Sequence, residues 1–365
     1  MSSSPFMTPT QSRERRTRAA RRRRRRRIIA AVALALALLA AGLAMALGSG
    51  GSTPSAKAKA ASPRGRSQRA LTAAAGPPRS ALGLPLGRPP LTLSGLSQPV
   101  ADPVQIYFHS PPRAGLLFNL DTGQVLWQRN ASLRVPIASL TKMMTALLSV
   151  ESAPPDAGVL ITRQAVGEGG SKVGVLPLDK HVRMETLLYG LLLPSGNDAA
   201  VALAQHVAGS IGAFVAEMNT RAASLGLGCT RYSSPSGFYD AHNYSCAVDL
   251  AELARMDLAQ PRIAHVTRTY SAALPFPIKG GKLYLLNNNP LLIYGYPGTT
   301  GLKTGYTIAA GRCLVATAER DGVRLGVVVL HSIEPGNQAR KLLDRGFEDV
   351  YHLPPVAEPP MPPGA

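Results

Sequence analysis

Seven consecutive arginines, Arg21 to Arg27, run directly into twenty residues, Ile28 to Leu47, that carry no charge and no strong hydrogen-bonding side chain. At about 1.5 Å of rise per helical residue, the apolar stretch measures roughly 30 Å, the thickness of a hydrocarbon core. The sequence therefore predicts a membrane-spanning segment at 28–48 behind a basic arm at 1–27. By the positive-inside rule the arm stays cytoplasmic and everything after Gly48 is exported. An uncleaved anchor, single-pass in the cell membrane, is the favoured reading. A cleaved signal peptide competes with it, because small residues follow at Ala44-Met-Ala46 and Ala58-Lys-Ala60.

The same region explains the charge. The chain has a formal net charge of +19, but its first hundred residues hold 18 of the 40 basic residues and one of the 21 acids, Glu14. What remains, 22 basic against 20 acidic residues, is nearly neutral, so the basic balance reports the N-terminal arm and linker and implies no nucleic-acid partner. Residues 49–103 are Ala, Ser, Pro, Gly and Lys/Arg with few large apolar side chains, which predicts a disordered linker reaching roughly 40 Å. Residues 353–365 are Pro-rich and are expected to be disordered as well. One folded domain, 104–352, is left.

Within it the hydrophobic period alternates between two values. Apolar runs at 114–119 and 124–127 flank Asp121-Thr-Gly123 and predict an opening hairpin; runs at 313–318 and 323–330, joined at Asp321-Gly322, predict a closing one. Between them Leu140, Met143, Met144, Leu147 and Leu148 follow a helical spacing, as do Met184, Leu187, Leu188, Leu191 and Leu192. Further helices are expected at 211–225, ended by Gly226, at 248–258 and at 338–350. Three cysteines rule out a full set of internal disulfides. Cys229 and Cys246 flank a turn-rich stretch and leave one pairing open, and Cys313 sits in an apolar strand pattern as a small core residue. No Cys/His metal spacing occurs and no cofactor is expected.

Chemistry is concentrated in three short motifs: Ser139-Leu-Thr-Lys142, Ser195-Gly-Asn197 and Lys303-Thr-Gly305. Ser139 opens the first amphipathic helix, where unpaired backbone N–H groups carry partial positive charge, and Lys142 lies one turn on along the same face. A lysine of ordinary pKa is neutral in only about one molecule in 2,500 at pH 7, so service as a base requires burial or a neighbouring cation, which Lys303 can supply. Ser195 and Asn197 sit between two helical stretches, placed to relay a proton and to orient Lys142. Lys303 and Thr304, on a strand expected at a sheet edge, offer a cation and a hydroxyl to a carboxylate, and Gly305 lets a ligand approach the backbone. Taken singly, each motif is better read as a helix cap, a turn or a hairpin. All three, in this order, indicate a serine acyl-transfer site run by lysines.

The wider segments, Pro136-Ile-Ala-Ser-Leu-Thr-Lys-Met-Met-Thr-Ala-Leu-Leu148, Leu192-Leu-Pro-Ser-Gly-Asn-Asp-Ala-Ala200 and Gly301-Leu-Lys-Thr-Gly-Tyr-Thr307, resemble the D-alanyl-D-alanine carboxypeptidases, the low-molecular-mass penicillin-binding proteins, over roughly residues 104–352. The resemblance implies a mixed α/β, β-lactamase/transpeptidase-like fold: a mainly antiparallel sheet flanked by helices, plus a helical lobe. It implies a peptidoglycan stem peptide ending in D-Ala-D-Ala as substrate and covalent binding of β-lactams. It assigns Ser139 as nucleophile, Lys142 as base, Ser195 as proton relay, Asn197 as positioner and Lys303 with Thr304 as carboxylate clamp. The oxyanion hole would be the backbone N–H groups of Ser139 and Tyr306.

Two departures stand out. Many relatives carry a β-rich domain after the catalytic one, whereas this chain ends shortly after Tyr351, which moves the expected anchor to the N-terminus. Some relatives place an arginine before the last helix to help hold the terminal carboxylate, where this chain reads Ile333-Glu-Pro-Gly-Asn337; recognition is then expected to rest on Lys303 and Thr304. A β-lactamase needs a further base to hydrolyse the acyl-enzyme, and no suitable glutamate lies between Asn197 and Lys303. Transpeptidation and endopeptidase action use the same three motifs and stay open. A non-catalytic penicillin-binding scaffold is disfavoured, because all three motifs are intact.

Overall fold

A computed structural model describes Leu93, residues 102–238 and residues 242–357. The expectations for the basic arm, the apolar span, nearly all of the linker and the end of the tail fall outside the described residues. Among the described residues no single helix is long and apolar enough to cross a membrane.

Strands β1 (Ala114–Asn119), β2 (Val125–Arg129), β9 (Thr299–Thr307), β10 (Gly311–Arg320) and β11 (Val323–Ser332) form one sheet in the order β2-β1-β11-β10-β9, with antiparallel pairing throughout. The first and last strands among the described residues are thus brought side by side, Ala114 opposite Leu330. Both predicted hairpins are present. In the closing one, Asp321 and Gly322 have φ of 48° and 79°, the positive angles that a two-residue turn matched to strand twist requires. Short pairs complete the strands: β3 (Val135–Pro136) with β6 (Tyr244–Ser245), β4 (Gly158–Leu160) with β5 (His181–Arg183), and β7 (Ser271–Pro275) with β8 (Lys282–Leu286). The two- and three-residue strands carry no period that a sequence reading can detect; β7 and β8, of five residues each, do alternate, with Leu283 and Leu285 buried.

Alternation along the strands gives the sheet two buried faces. Leu314, Ala316, Val327 and Val329 meet Leu342 and Leu343 of the last helix, Pro335–Arg345, and Phe347 just beyond it. Cys313, Val315, Val328 and Leu330 meet Met143, Met144 and Leu147 of helix α1 (Lys142–Ser152) and Leu250 and Leu253 of the helix Ala247–Ala259. A separate helical lobe is built on Met184–Leu192 and Asn197–Ala208, whose Leu187, Leu188, Leu191, Val201 and Leu203 share a second core with Ala146 of α1. Helix α1 therefore lies at the seam between the sheet layer and the helical lobe, and its N-terminal turn opens where the two meet.

The packed region is slightly longer than the expected 104–352. Asp102 accepts a hydrogen bond from the Gln128 backbone N–H (2.9 Å), and Leu93 packs against the core. Leu353 and Val356, expected to begin a disordered tail, pack against the outer face of the sheet, and Arg320 donates to the Pro354 carbonyl. Prolines hinder regular structure here but leave the apolar side chains between them free to dock.

Candidate active site

Ser139 lies in a 3-10 turn, Ala138–Thr141, that leads straight into α1. The turn is held under strain: Ala138 has φ of 49°, a left-handed conformation that costs an ordinary L-residue roughly 1–2 kcal/mol. Its carbonyl accepts a hydrogen bond from the Thr141 hydroxyl (2.8 Å), and Gly237 presses so closely on that carbonyl that any Cβ at 237 would collide with it. Gly305 meets the turn from the other side, where a Cβ would stand 2.9 Å from the Ile137 carbonyl oxygen and 3.1 Å from the Ser139 nitrogen. Glycine at 305 thus admits the nucleophile's own backbone on this side of the strand.

Lys142 is completely buried, and its Nζ has three neighbours at hydrogen-bond distance: Ser139 Oγ (2.8 Å), Asn197 Oδ1 (2.7 Å) and the Ser236 carbonyl oxygen (2.8 Å). Asn197 cannot be turned over, because its Nδ2 donates to the Gly169 carbonyl (2.7 Å). Two of the three neighbours are therefore pure acceptors and the third is a hydroxyl. A neutral amine fits this arrangement, donating to the two carbonyl oxygens and receiving the Ser139 proton with its lone pair. Burial pulls the Lys142 ammonium well below the ordinary lysine value, and the charge of Lys303 lowers it further, against the opposing pull of Asp198 and Glu168.

Ser195 is buried with φ of 65°, and its Oγ has no hydrogen-bond partner among the described residues. The loop around it is fixed on both sides: Gly196 N–H donates to the Gly190 carbonyl (2.8 Å), and the Asp198 carboxylate accepts from the backbone N–H groups of Val173, Gly174 and Ala199. On the sheet side, strand β9 is the edge strand expected for Lys303. Lys303 is buried, donates to the Thr304 carbonyl (2.8 Å), and is pulled by burial to about 7. A cleft of about 620 Å³ opens over the site, with Ser139, Ser195, Thr304, Gly305, Tyr306 and Arg312 on its wall. Tyr306 is two-thirds exposed at its rim.

A nucleophile, a buried amine base and an unpartnered hydroxyl converging under a cleft is the arrangement of a serine acyl-transfer enzyme, and comparison with known proteins specifies which. Residues 110–333 match the family model described as D-alanyl-D-alanine carboxypeptidase. The chain belongs to that family. It is 36% identical over 252 residues to the D-alanyl-D-alanine carboxypeptidase DacF of Bacillus subtilis, an alignment covering 66% of this chain and 64% of that relative. Among solved structures, a D-alanyl-D-alanine carboxypeptidase from Mycobacterium tuberculosis superposes with a TM-score of 0.63 at 32% identity, covering 71% of this chain and 97% of that one. The Streptomyces K15 DD-transpeptidase superposes at 0.62 and 31% identity, covering 67% and 99%. The fold read from the motifs is the fold found.

The structure brings together every residue that the motifs singled out and adds three features to them. The Ser236 carbonyl reaches Lys142 from 94 positions away, and a backbone oxygen leaves no mark in a sequence. Glu168, whose carboxyl is raised by burial, is felt by Lys142 although it lies ahead of the interval between Asn197 and Lys303. Arg312 lines the cleft because β9 and β10 turn back on each other, setting it opposite Tyr306. Counting along that hairpin would have found it. Cys229 and Cys246 form a disulfide, with Cα atoms 5.6 Å apart, and Cys313 is buried outside that bridge, its Sγ 3.5 Å from the Ala310 carbonyl oxygen. Asp249 joins the two disulfide sulfurs in the one cluster of potential metal ligands among the described residues, and disulfide sulfurs are not thiolate ligands.

Proposed function

We propose that this enzyme removes the terminal D-Ala from peptidoglycan stem peptides through an acyl-enzyme on Ser139, outside the cell and tethered by Ile28 to Leu47. The observation that carries the reading is the 2.8 Å contact of the buried Lys142 amine, its pKa lowered by that burial, with the Ser139 hydroxyl. Lys142 takes the hydroxyl proton as Oγ attacks the carbonyl carbon of the D-Ala-D-Ala bond. The oxyanion is met by the backbone N–H groups of Ser139 and Tyr306, and Ser195 relays the proton to the departing amine as the C–N bond breaks. Water, deprotonated by the same lysine, then releases the shortened peptide. A β-lactam enters the same cycle, its lactam carbonyl taking the place of the peptide carbonyl and its opened ring staying on Ser139.

D,D-transpeptidation is the second reading, supported by similarity to the K15 transpeptidase, and differs only in whether an amine replaces water. Incubation with a peptide ending in Lys-D-Ala-D-Ala, with and without an acceptor amine, separates the two. Release of D-Ala without cross-linked product is expected. Predominant cross-linking in the presence of the amine would favour the second reading, and no D-Ala release under either condition would overturn both. Membrane tethering has its own test: the full chain should stay with membranes through a high-salt wash, and recovery of soluble protein with a new N-terminus beyond Leu47 would identify a cleaved signal.

A further inference from the structure

The terminal carboxylate of the peptide needs a cation on the cleft wall, and the structure offers a different one from the sequence motif. Side chains alternate along β9, so Lys303 and Gly305 face the nucleophile turn and α1, while Thr304 and Tyr306 face the other way. Lys303 is 1% exposed and spends its contact on a backbone carbonyl behind the wall. Arg312 stands on the wall itself. It is paired directly with Tyr306, and Thr304, paired with Leu314, is its diagonal neighbour on the same face, about 7–8 Å away along the sheet and within reach of a long side chain. Its Nη1 donates to the Ile333 carbonyl (3.2 Å), which ties the guanidinium to the end of β11 beside Pro335, another wall residue. Arginine keeps its charge at any physiological pH and presents a planar fork matched to a carboxylate.

We propose that Arg312, with the Thr304 hydroxyl, binds the terminal carboxylate of the acyl-donor peptide and determines the preference for a free C-terminus. The segment Ile333-Glu-Pro-Gly-Asn337, which offers no arginine, instead supplies the carbonyl that positions one from the neighbouring strand. Lys303 is left to act on Lys142 through its charge. The inference rests on the carboxypeptidase reading for its natural substrate, although penicillins carry the same carboxylate.

The test compares Arg312→Ala and Arg312→Lys with the unmodified full chain. Two ligand pairs are used: a D-Ala-D-Ala peptide against its C-terminal amide, and a penicillin against its methyl ester. A charge-assisted hydrogen-bonding pair predicts that Arg312→Ala raises KM for the free peptide, and weakens penicillin acylation, by about ten- to hundredfold. The amide and ester should be nearly unaffected, kcat should change little, and Arg312→Lys should recover part of the loss. An Arg312→Ala variant that keeps its discrimination between acid and amide would overturn the proposal. So would one that loses both members of each pair equally, since that is the signature of a structural role. If the unmodified enzyme releases no D-Ala, the carboxypeptidase reading fails and the penicillin pair still decides Arg312.

Discussion

Two lysines sit in this site, both buried and both lowered by burial, yet the protein wires them for different tasks. Lys142, on the helical seam, is surrounded by a reactive hydroxyl one turn away and two carbonyl oxygens drawn from two distant stretches of chain. Lys303, on the edge strand, has one contact to the carbonyl of the next residue. An amine that must exchange a proton needs a partner able to give one up, and only Lys142 has such a partner. An amine that must act through charge needs only proximity, which Lys303 has through the alternation of β9. In the proposed mechanism the same residue type, equally buried, thus serves as a base or as an electrostatic neighbour according to its hydrogen-bond partners.

Replacing each lysine with arginine keeps the charge and abolishes the base. Lys142→Arg should lower penicillin acylation by about 10²–10⁴-fold, the usual worth of a positioned base. Lys303→Arg should stay within about tenfold, the equivalent of one pKa unit at Lys142. Equal losses, measured as second-order acylation rates by stopped flow, would show that the two roles are not separate.

A second difference lies in what holds each lysine's partners. The Ser236 carbonyl and Asn243, which donates to the Thr141 hydroxyl (2.8 Å), both belong to the loop closed by Cys229 and Cys246, 17 residues apart in sequence. Loop-closure entropy makes such a bridge worth about 3 kcal/mol. Replacing both cysteines with alanine should lower the Tm and slow acylation, because the Lys142 side of the site loosens while β9 and Lys303 stay held by β10. Unchanged acylation with a lowered Tm would show that the loop is anchored to α1 without the disulfide.

A third test reads Lys303 through stability. Its folded value is about 7 against about 10.4 in an unfolded chain. Below pH 7 both states are protonated and folding must bury an ammonium, which is destabilising. Between about 7 and 10.4 the unfolded chain binds more protons, so stability rises with pH and the penalty fades. Lys142, shifted in the same direction, is present in both proteins compared. Lys303→Met should therefore melt higher than the parent at pH 6–7, with the gap closing towards pH 10, at roughly 2–4 °C per kcal/mol for a domain of this size. A gap independent of pH would mean that the gain comes from packing alone.

What is legible in the sequence divides along the same line. Motif residues, both large hairpins and the helix carrying Lys142 can be read from spacing, because side-chain type and period are written in the chain. The Ser236 carbonyl cannot, being backbone. The close packing at Gly305 cannot be read either, since only the fold shows that the nucleophile turn occupies the space its missing Cβ leaves. Lys303 and Thr304 are neighbours in the sequence, and only the strand shows that their side chains turn in opposite directions.

The smallest expected effect concerns the ends of the chain. Among the described residues ahead of Ala101, only Leu93 touches the core, half-buried, and no group within hydrogen-bond reach of Lys142 or Lys303 comes from that region. A chain of residues 101–357 should therefore acylate at the full-length rate and lose about 1 kcal/mol of stability at most, the contribution of part of one leucine. Ending at 352 should cost more, because Leu353 and Val356 pack on the outer sheet face and the Pro354 carbonyl receives Arg320. Even then the loss should fall on Tm and leave both lysines' rates alone, since that face of the sheet is turned away from α1. A drop in acylation on removing 1–100 would place part of the linker in the site, and a drop on removing 353–357 would show that the two faces of the sheet are mechanically coupled.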